Sequence, residues 1–299
     1  MKEKSRAYKI FTVCNYIFML FIIVITVFPY LHELAKALNE GSDTMLGGLT
    51  LIPRKFTFEN FQLLLSDTSI YKSFVITIAR VLLGTALGLA AQFCAAYSLS
   101  KNHLKGRAAI LIFLTIPMFF NGGVIPNYLL YSNLGLINNF AVYIFPFIYN
   151  FFNILVIRTY LATTIPDSLE EAARIDGAGT FSILVRMILP LSKPILATIA
   201  LWIAVFHWND WTTTLTYVTQ ERLYTAQYKL MQLIKESERL QQLMSEAAMS
   251  GQSSNVAIKS TPEALISAQV IITTIPIILV YPFLQKYFVQ GVMIGSLKG

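Results

Sequence analysis

The chain has 299 residues, 55% of them hydrophobic and 13% charged, with a mean hydropathy of +0.59. Soluble domains carry about 25% charged residues, so this composition excludes an ordinary soluble enzyme and indicates an all-α integral membrane protein. The formal net charge of +7 would suit a nucleic-acid binder, but its placement follows membrane topology, which argues against that partner.

Lys2, Lys4, Arg6 and Lys9 precede an apolar run over 10–31. A signal-peptide core is about 7–15 residues long and a span needs about 20, so this run is expected to be a retained first span. Residues 32–70 are polar and turn-rich, with a short amphipathic helix expected over 59–65. The second span, 71–99, carries Gly84 and Gly88 at a spacing that lets another helix approach closely. Cys14 and Cys94 lie in apolar runs and are expected to be buried free thiols.

Lys101, Lys105 and Arg107 mark a short basic loop before the third span, 108–128, which Pro117, Asn121 and Pro126 interrupt. The fourth span is expected over 140–160 and the fifth over 191–211, with Pro194 in its first turn. A polar insertion, 212–264, then separates the fifth span from the sixth, 265–288. Within it the apolar spacing over 224–249 predicts an amphipathic helix outside the membrane, followed by a flexible loop over 250–260. That helix packs on the protein's own outer surface or meets a partner. The segments sharing a side with the N-terminus hold thirteen Lys and Arg against five Asp and Glu. The opposite side holds nine against eleven, so both termini and the loop 165–190 are expected in the cytoplasm.

That loop is the most patterned stretch of the chain. Ser168 followed by Glu171 fits a capping box at a helix start, and Gly177 supplies a residue that turns left-handed and stops the helix. Leu169, Ala172 and Ala173 fall on one face, with Glu170, Arg174 and Asp176 elsewhere. The result is a short charged helix suited to filling a groove in another protein.

Glu171-Ala172-Ala173, then Gly177, then Met187-Ile188-Leu189-Pro190 resembles the EAA loop of binding-protein-dependent ABC importer permeases, with Met187 in place of the usual isoleucine. The resemblance implies a type I importer fold of six spans. Its coupling helix would bring Ser168, Glu170, Glu171, Ala172, Ala173, Asp176 and Gly177 to a cytoplasmic ATPase. It also extends to Gly135-Leu136-Ile137-Asn138-Asn139 and Ile175-Asp176-Gly177-Ala178, landmarks of the carbohydrate permeases of the maltose-type second-subunit kind. The phrase from Tyr281 to Phe288 and the long insertion are similar to the LplC/YtcP-like branch serving complex polysaccharides. Implied partners are a second permease subunit, two ATPase subunits, a surface or lipid-anchored solute-binding protein and the lipid bilayer. ATP and Mg²⁺ would belong to the ATPases, with no cofactor on this chain.

No G-x-x-x-x-G-K-[ST] loop, H-E-x-x-H or G-x-S-x-G motif is present, so function is expected from shape change rather than catalysis. His32, His103 and His207 sit at span ends, where partly wet surface histidines are ordinary. Arg80 lies deep in the second span, where a guanidinium facing lipid costs about 2.5–3.5 kcal/mol or more. It is expected either to line a water-filled cavity or to snorkel outward. The segment Trp202-x5-Trp208-Asn209-Asp210-Trp211 offers indoles and polar groups to a sugar, although Trp near an interface also serves as an anchor. Asn121, Trp208 and Asn209 join Arg80 as candidate pathway residues. The rival readings are a stand-alone secondary transporter or channel, and a membrane enzyme.

Overall fold

The computed structural model describes residues 6–120, 122–249 and 261–296. The candidate Asn121, the loop 250–260 and the terminal residues 1–5 and 297–299 lie outside the described residues.

Helix α1 covers Arg6–Ala37, and the short helices α2 (Gly41–Thr44) and α3 (Glu59–Ser66) follow, α3 being the helix expected over 59–65. Helix α4 runs from Thr68 to Ser100, then α5 covers Arg107–Phe119 and α6 Val124–Asn133. Two 3₁₀ turns, Phe140–Tyr143 and Phe145–Phe147, lead into α7, Phe151–Thr164. The patterned loop forms α8 (Asp167–Ile175), α9 (Thr180–Ile183), a π turn over Leu184–Ile188 and α10 (Leu189–Leu191). Helix α11 is Lys193–Asn209, α12 is Thr212–Tyr217, α13 is Ala226–Met249 and α14 is Pro262–Ser296. Among the described residues, three of these helices are long and apolar enough to cross a membrane, and three further bent pairs bring the number to as many as six.

The bends have identifiable causes. Thr180–Leu191 meets Lys193–Asn209 at 81°. Pro190 and Pro194 each lack a backbone donor, and the π turn before them absorbs the mismatch. Thus the fifth apolar run is preceded by a second helical stretch that hydropathy alone did not reveal. The pair Phe140–Phe147 and Phe151–Thr164 bends by 48°, with Pro146 in the 3₁₀ turn and Asn150 capping α7 by accepting from Asn153 N–H at 3.1 Å.

The chain divides into two compact units, Met1–Ile70 with Lys229–Pro276, and Tyr71–Tyr228 with Ile277–Gly299. In the first, Asn39 is a buried hub whose amide donates to the Asp43 carboxylate at 2.9 Å, and Arg54 pairs with Asp43 at 2.9 Å. Those two bonds hold the Asp43 carboxyl below its usual pKa. Residues of α13 from Lys229 onward lie beside α3 and the start of α14 around a groove of about 420 Å³, lined by Leu64, Ile70, Leu233 and Leu265 among others. Packing on the protein's own surface therefore accounts for that part of the amphipathic helix.

The second unit holds the main core. Phe93, Ala96, Tyr97 and Leu99 of α4, Phe151, Ile154, Ile157 and Leu161 of α7, and Leu196, Ile199 and Ile203 of α11 recur at helical spacing and pack together. The close approach expected at Gly84 and Gly88 is made by α11. The His207 ring lies where a side chain on Gly84 would sit, and Ile203 lies 3.7 Å from the corresponding position of Gly88. Asn138 adopts a left-handed φ of 57°, and its side-chain oxygen accepts from Thr219 N–H at 2.6 Å.

Two sequence expectations fail here. His207 is fully buried rather than wet, because Gly84 opens room for its ring beside Phe147. Cys14 and Cys94 are free as expected but exposed, on apolar helix faces that this chain alone leaves uncovered.

Candidate functional site

Helix α8 starts two residues earlier than the capping-box pattern implies. Pro166 is its N-cap with φ −65° and no side-chain cap bond, so Ser168 already lies inside the helix and the reciprocal Ser168–Glu171 cap does not form. Proline's fixed φ sets the chain for helix entry, and Asp167 and Glu170 place negative charge in the first turn, where the helix dipole favours it. The far end matches expectation closely. Gly177 has φ +80°, its N–H donates to Arg174 O at 3.0 Å, and Ala178 N–H reaches Ala173 O at 2.9 Å. This is a Schellman motif, in which only glycine takes the left-handed position without strain.

The faces of α8 divide its residues into two groups. Ala173 and Ala178 pack against the core. Glu170 is buried, accepts from Tyr97 Oη at 3.1 Å and forms an ion pair with Lys101, whose ammonium sits 4.5 Å from the Tyr97 ring centroid. Glu170 therefore does not face a partner, as the sequence reading had it. It anchors α8 to the end of α4 instead. Ser168, Leu169, Glu171, Ala172, Asp176 and Gly177 stay exposed. Ile175 at 86% exposure and Phe181 at 78% extend that surface with apolar area the sequence reading missed. Their signal was present as large apolar residues inside a charged loop, where a free surface rarely places them.

The candidate pathway residues are scattered. Arg80 neither lines a cavity nor snorkels. It is 0% exposed and forms an ion pair with the Asp210 carboxylate; it also donates to Asp210 O at 2.9 Å, and its guanidinium lies 4.8 Å from the Tyr143 ring centroid. A buried guanidinium needs a counter-charge, and Asp210 supplies it from 130 residues away. Asp210 in turn accepts from Thr212 N–H at 3.0 Å and Thr213 N–H at 3.1 Å, fixing the start of α12. Trp208 is buried against Phe74, with ring centroids 6.4 Å apart, while Asn209 is exposed. Neither lines a cleft with Arg80.

A cleft of about 150 Å³ lies elsewhere in the same unit, lined by Gln92, Phe147, Asn150, Asn153, Trp202 and His207 among others. Sequence reasoning passed over its amides. Their signal was polar side chains inside predicted spans, where they rarely face lipid.

A family model described as the binding-protein-dependent transport system inner membrane component matches residues 4–294. The chain is 33% identical over 291 residues to the polygalacturonan/rhamnogalacturonan transport system permease protein YtcP of Bacillus subtilis, covering 97% of this chain and 99% of that one. It is 35% identical over 298 residues to protein LplC of the same organism, covering 99% and 98% respectively. In structure it is similar to a chain of a bacterial ABC transporter involved in the import of the acidic polysaccharide alginate. That match has a TM-score of 0.83 and 29% identity, over 96% of this chain and all of that one.

Proposed function

The chain belongs to the family of binding-protein-dependent transport system inner membrane components, and from that membership we propose how it works in its assembly. It is a permease subunit of an ATP-driven ABC importer for carbohydrates. Its cargo is an oligosaccharide or polysaccharide fragment, passed on by a solute-binding protein. A second permease chain completes the pathway, and two ATPase subunits, carrying ATP and Mg²⁺, drive it. The chain has no ATP site of its own and crosses the bacterial cell membrane with both termini and α8 in the cytoplasm. Reporter fusions at Lys105 and Ser253 should read inside and outside; the reverse would overturn that orientation.

The observation that carries this reading is the two-faced geometry of α8. One face is pinned to the bundle by Glu170, Lys101 and Tyr97, and the other presents Leu169, Ala172, Ile175 and nearby Phe181 uncovered. A partner that closes on that face when it binds ATP does work on α8, and the anchor passes the displacement to α4. Only a partner that binds two states differently can shift their balance, so the ATPase contact is where the energy enters. The exposed apolar surface of α1 meets lipid and the sister permease.

Purification from native membranes should bring down an ATPase and a second permease, and vesicles holding all partners should import sugar only with internal ATP. Uptake by this chain alone would favour a stand-alone transporter. Glu170→Lys should lower uptake about ten-fold or more, since it sets two ammonium groups together at a half-closed site. Glu170→Lys with Lys101→Glu should recover most of the loss, and absence of that rescue would show that the ion pair is not the anchor.

A further inference from the structure

We propose that the cleft between α4, α7 and α11 is a subsite for a single uncharged sugar ring, so that this chain itself contacts the cargo and selects its neutral portions. The proposal rests on the carbohydrate-importer reading and deepens it.

Depth comes first. At 1.5 Å per residue, Gln92 lies about 12 Å along α4 from Ser100, Trp202 about 14 Å along α11 from Lys193, and Asn153 about 16 Å along α7 from Thr164. All three therefore sit well inside the bilayer, measured from the helix ends near α8. A tryptophan at that depth is not an interfacial anchor, and amides there do not face lipid.

The amides are oriented by a chain of hydrogen bonds with one direction. The Ile148 carbonyl can only accept, and Gln92 Nε2 donates to it at 2.9 Å. Gln92 therefore turns its oxygen to Asn153, whose Nδ2 donates to it at 3.0 Å. The backbone N–H of Asn153 can only donate, and it takes Asn150 Oδ1 at 3.1 Å. The groups left without a hydrogen-bond partner among the described residues include an acceptor, Asn153 Oδ1, and a donor group, Asn150 Nδ2. Beside them Trp202 is 41% exposed and stacked on Phe152, with centroids 6.0 Å apart and planes 24° apart. That gives a broad flat face for the C–H side of a pyranose.

A sugar hydroxyl both donates and accepts, and so matches this pair. A carboxylate only accepts, so it would leave the fixed oxygen of Asn153 without a donor. No Lys, Arg, Asp or Glu lines the cleft, and the nearby cation, Arg80, is committed to Asp210. A volume of about 150 Å³ suits one ring, being well below the ~300–1,000 Å³ of sites that enclose a larger ligand. Acidic groups, such as those of the acidic polysaccharide named for the similar transporter, therefore have no counter-charge here.

The test uses vesicles containing the complete transporter and its binding protein, supplied with a mixed digest of neutral and acidic plant polysaccharides. Imported oligosaccharides are identified by mass spectrometry, and ATP hydrolysis is followed in parallel. Trp202→Ala should lower neutral-sugar uptake about ten-fold at low concentration, raising KM more than it lowers kcat, with ATP hydrolysis preserved. Trp202→Tyr, which keeps a flat ring, should stay within about two-fold of wild type. Normal neutral-sugar uptake by Trp202→Ala overturns the subsite. Uptake of uronate oligomers with the same dependence on Trp202 overturns its neutral selectivity. No ATP-dependent uptake of any sugar by the wild type overturns the carbohydrate reading instead, and so separates the two.

Discussion

Gly177→Asp is expected to abolish sugar uptake while leaving the protein in the membrane. The residue closes α8 at φ +80°, and its N–H and that of Ala178 satisfy the Arg174 and Ala173 carbonyls. A side chain there would meet nothing within 4 Å, so the harm is not a clash. It comes from about 1–2 kcal/mol of left-handed strain and from a carboxylate set beside Asp176 at the carbonyl-rich helix end. The helix end then unwinds or swings, and the exposed Ile175 next to it loses its position. No apolar surface is removed from any span, so insertion is unaffected. Uptake in vesicles with all partners should fall about ten-fold or more, and the ATPase should dissociate during purification. Gly179→Ala is the control. It has φ −72° and open space around it, and should remain within about two-fold of wild type. Normal uptake by Gly177→Asp would falsify the docking role of α8.

Arg80→Ala should cost the most stability of any single change considered. Its side chain is 0% exposed and that of Asp210 only 7%, so truncation strands a buried carboxylate. Breaking such a pair costs about 3–5 kcal/mol, far more than the pair adds over an apolar replacement. The same carboxylate holds the first N–H groups of α12, so the corner between α11 and α12 should loosen as well. Purified Arg80→Ala should therefore unfold at lower temperature and with lower yield. Arg80→Met combined with Asp210→Asn should recover most of the loss, because the amide oxygen still accepts from Thr212 and Thr213 while no net charge is left buried. Wild-type stability in Arg80→Ala alone would sink the assignment of this pair as structural.

Much of the molecule was legible in its sequence, and the legible parts share a cause. Apolar runs of membrane length, the short helix at Glu59–Ser66, the left-handed turn at Gly177 and the close approach at Gly84 and Gly88 are all written within a few consecutive residues. Local chemistry decides them: a glycine without a side chain, a proline without a donor, a run that only lipid or protein can cover. The spaced pattern from Glu171 to Pro190 is likewise continuous in the chain, so the proposed docking element was visible before any fold was known.

What the sequence left open is which way each side chain turns. A helix that is apolar all round has no inner face of its own, and only its packing partners fix its rotation. Trp202 and Trp208 look alike in sequence, yet packing leaves Trp202 beside a cleft and buries Trp208 on Phe74. Arg80 read as a cavity residue because its counter-charge is 130 residues away, and Glu170 read as a docking residue because Lys101 is 69 residues away. Hydropathy and motif spacing thus determined that this is a membrane permease and pointed to the loop proposed to meet its ATPase. Tertiary structure decided which polar groups are spent on each other and which are left facing the cleft, because a buried charge or amide must find its partner wherever the fold brings one.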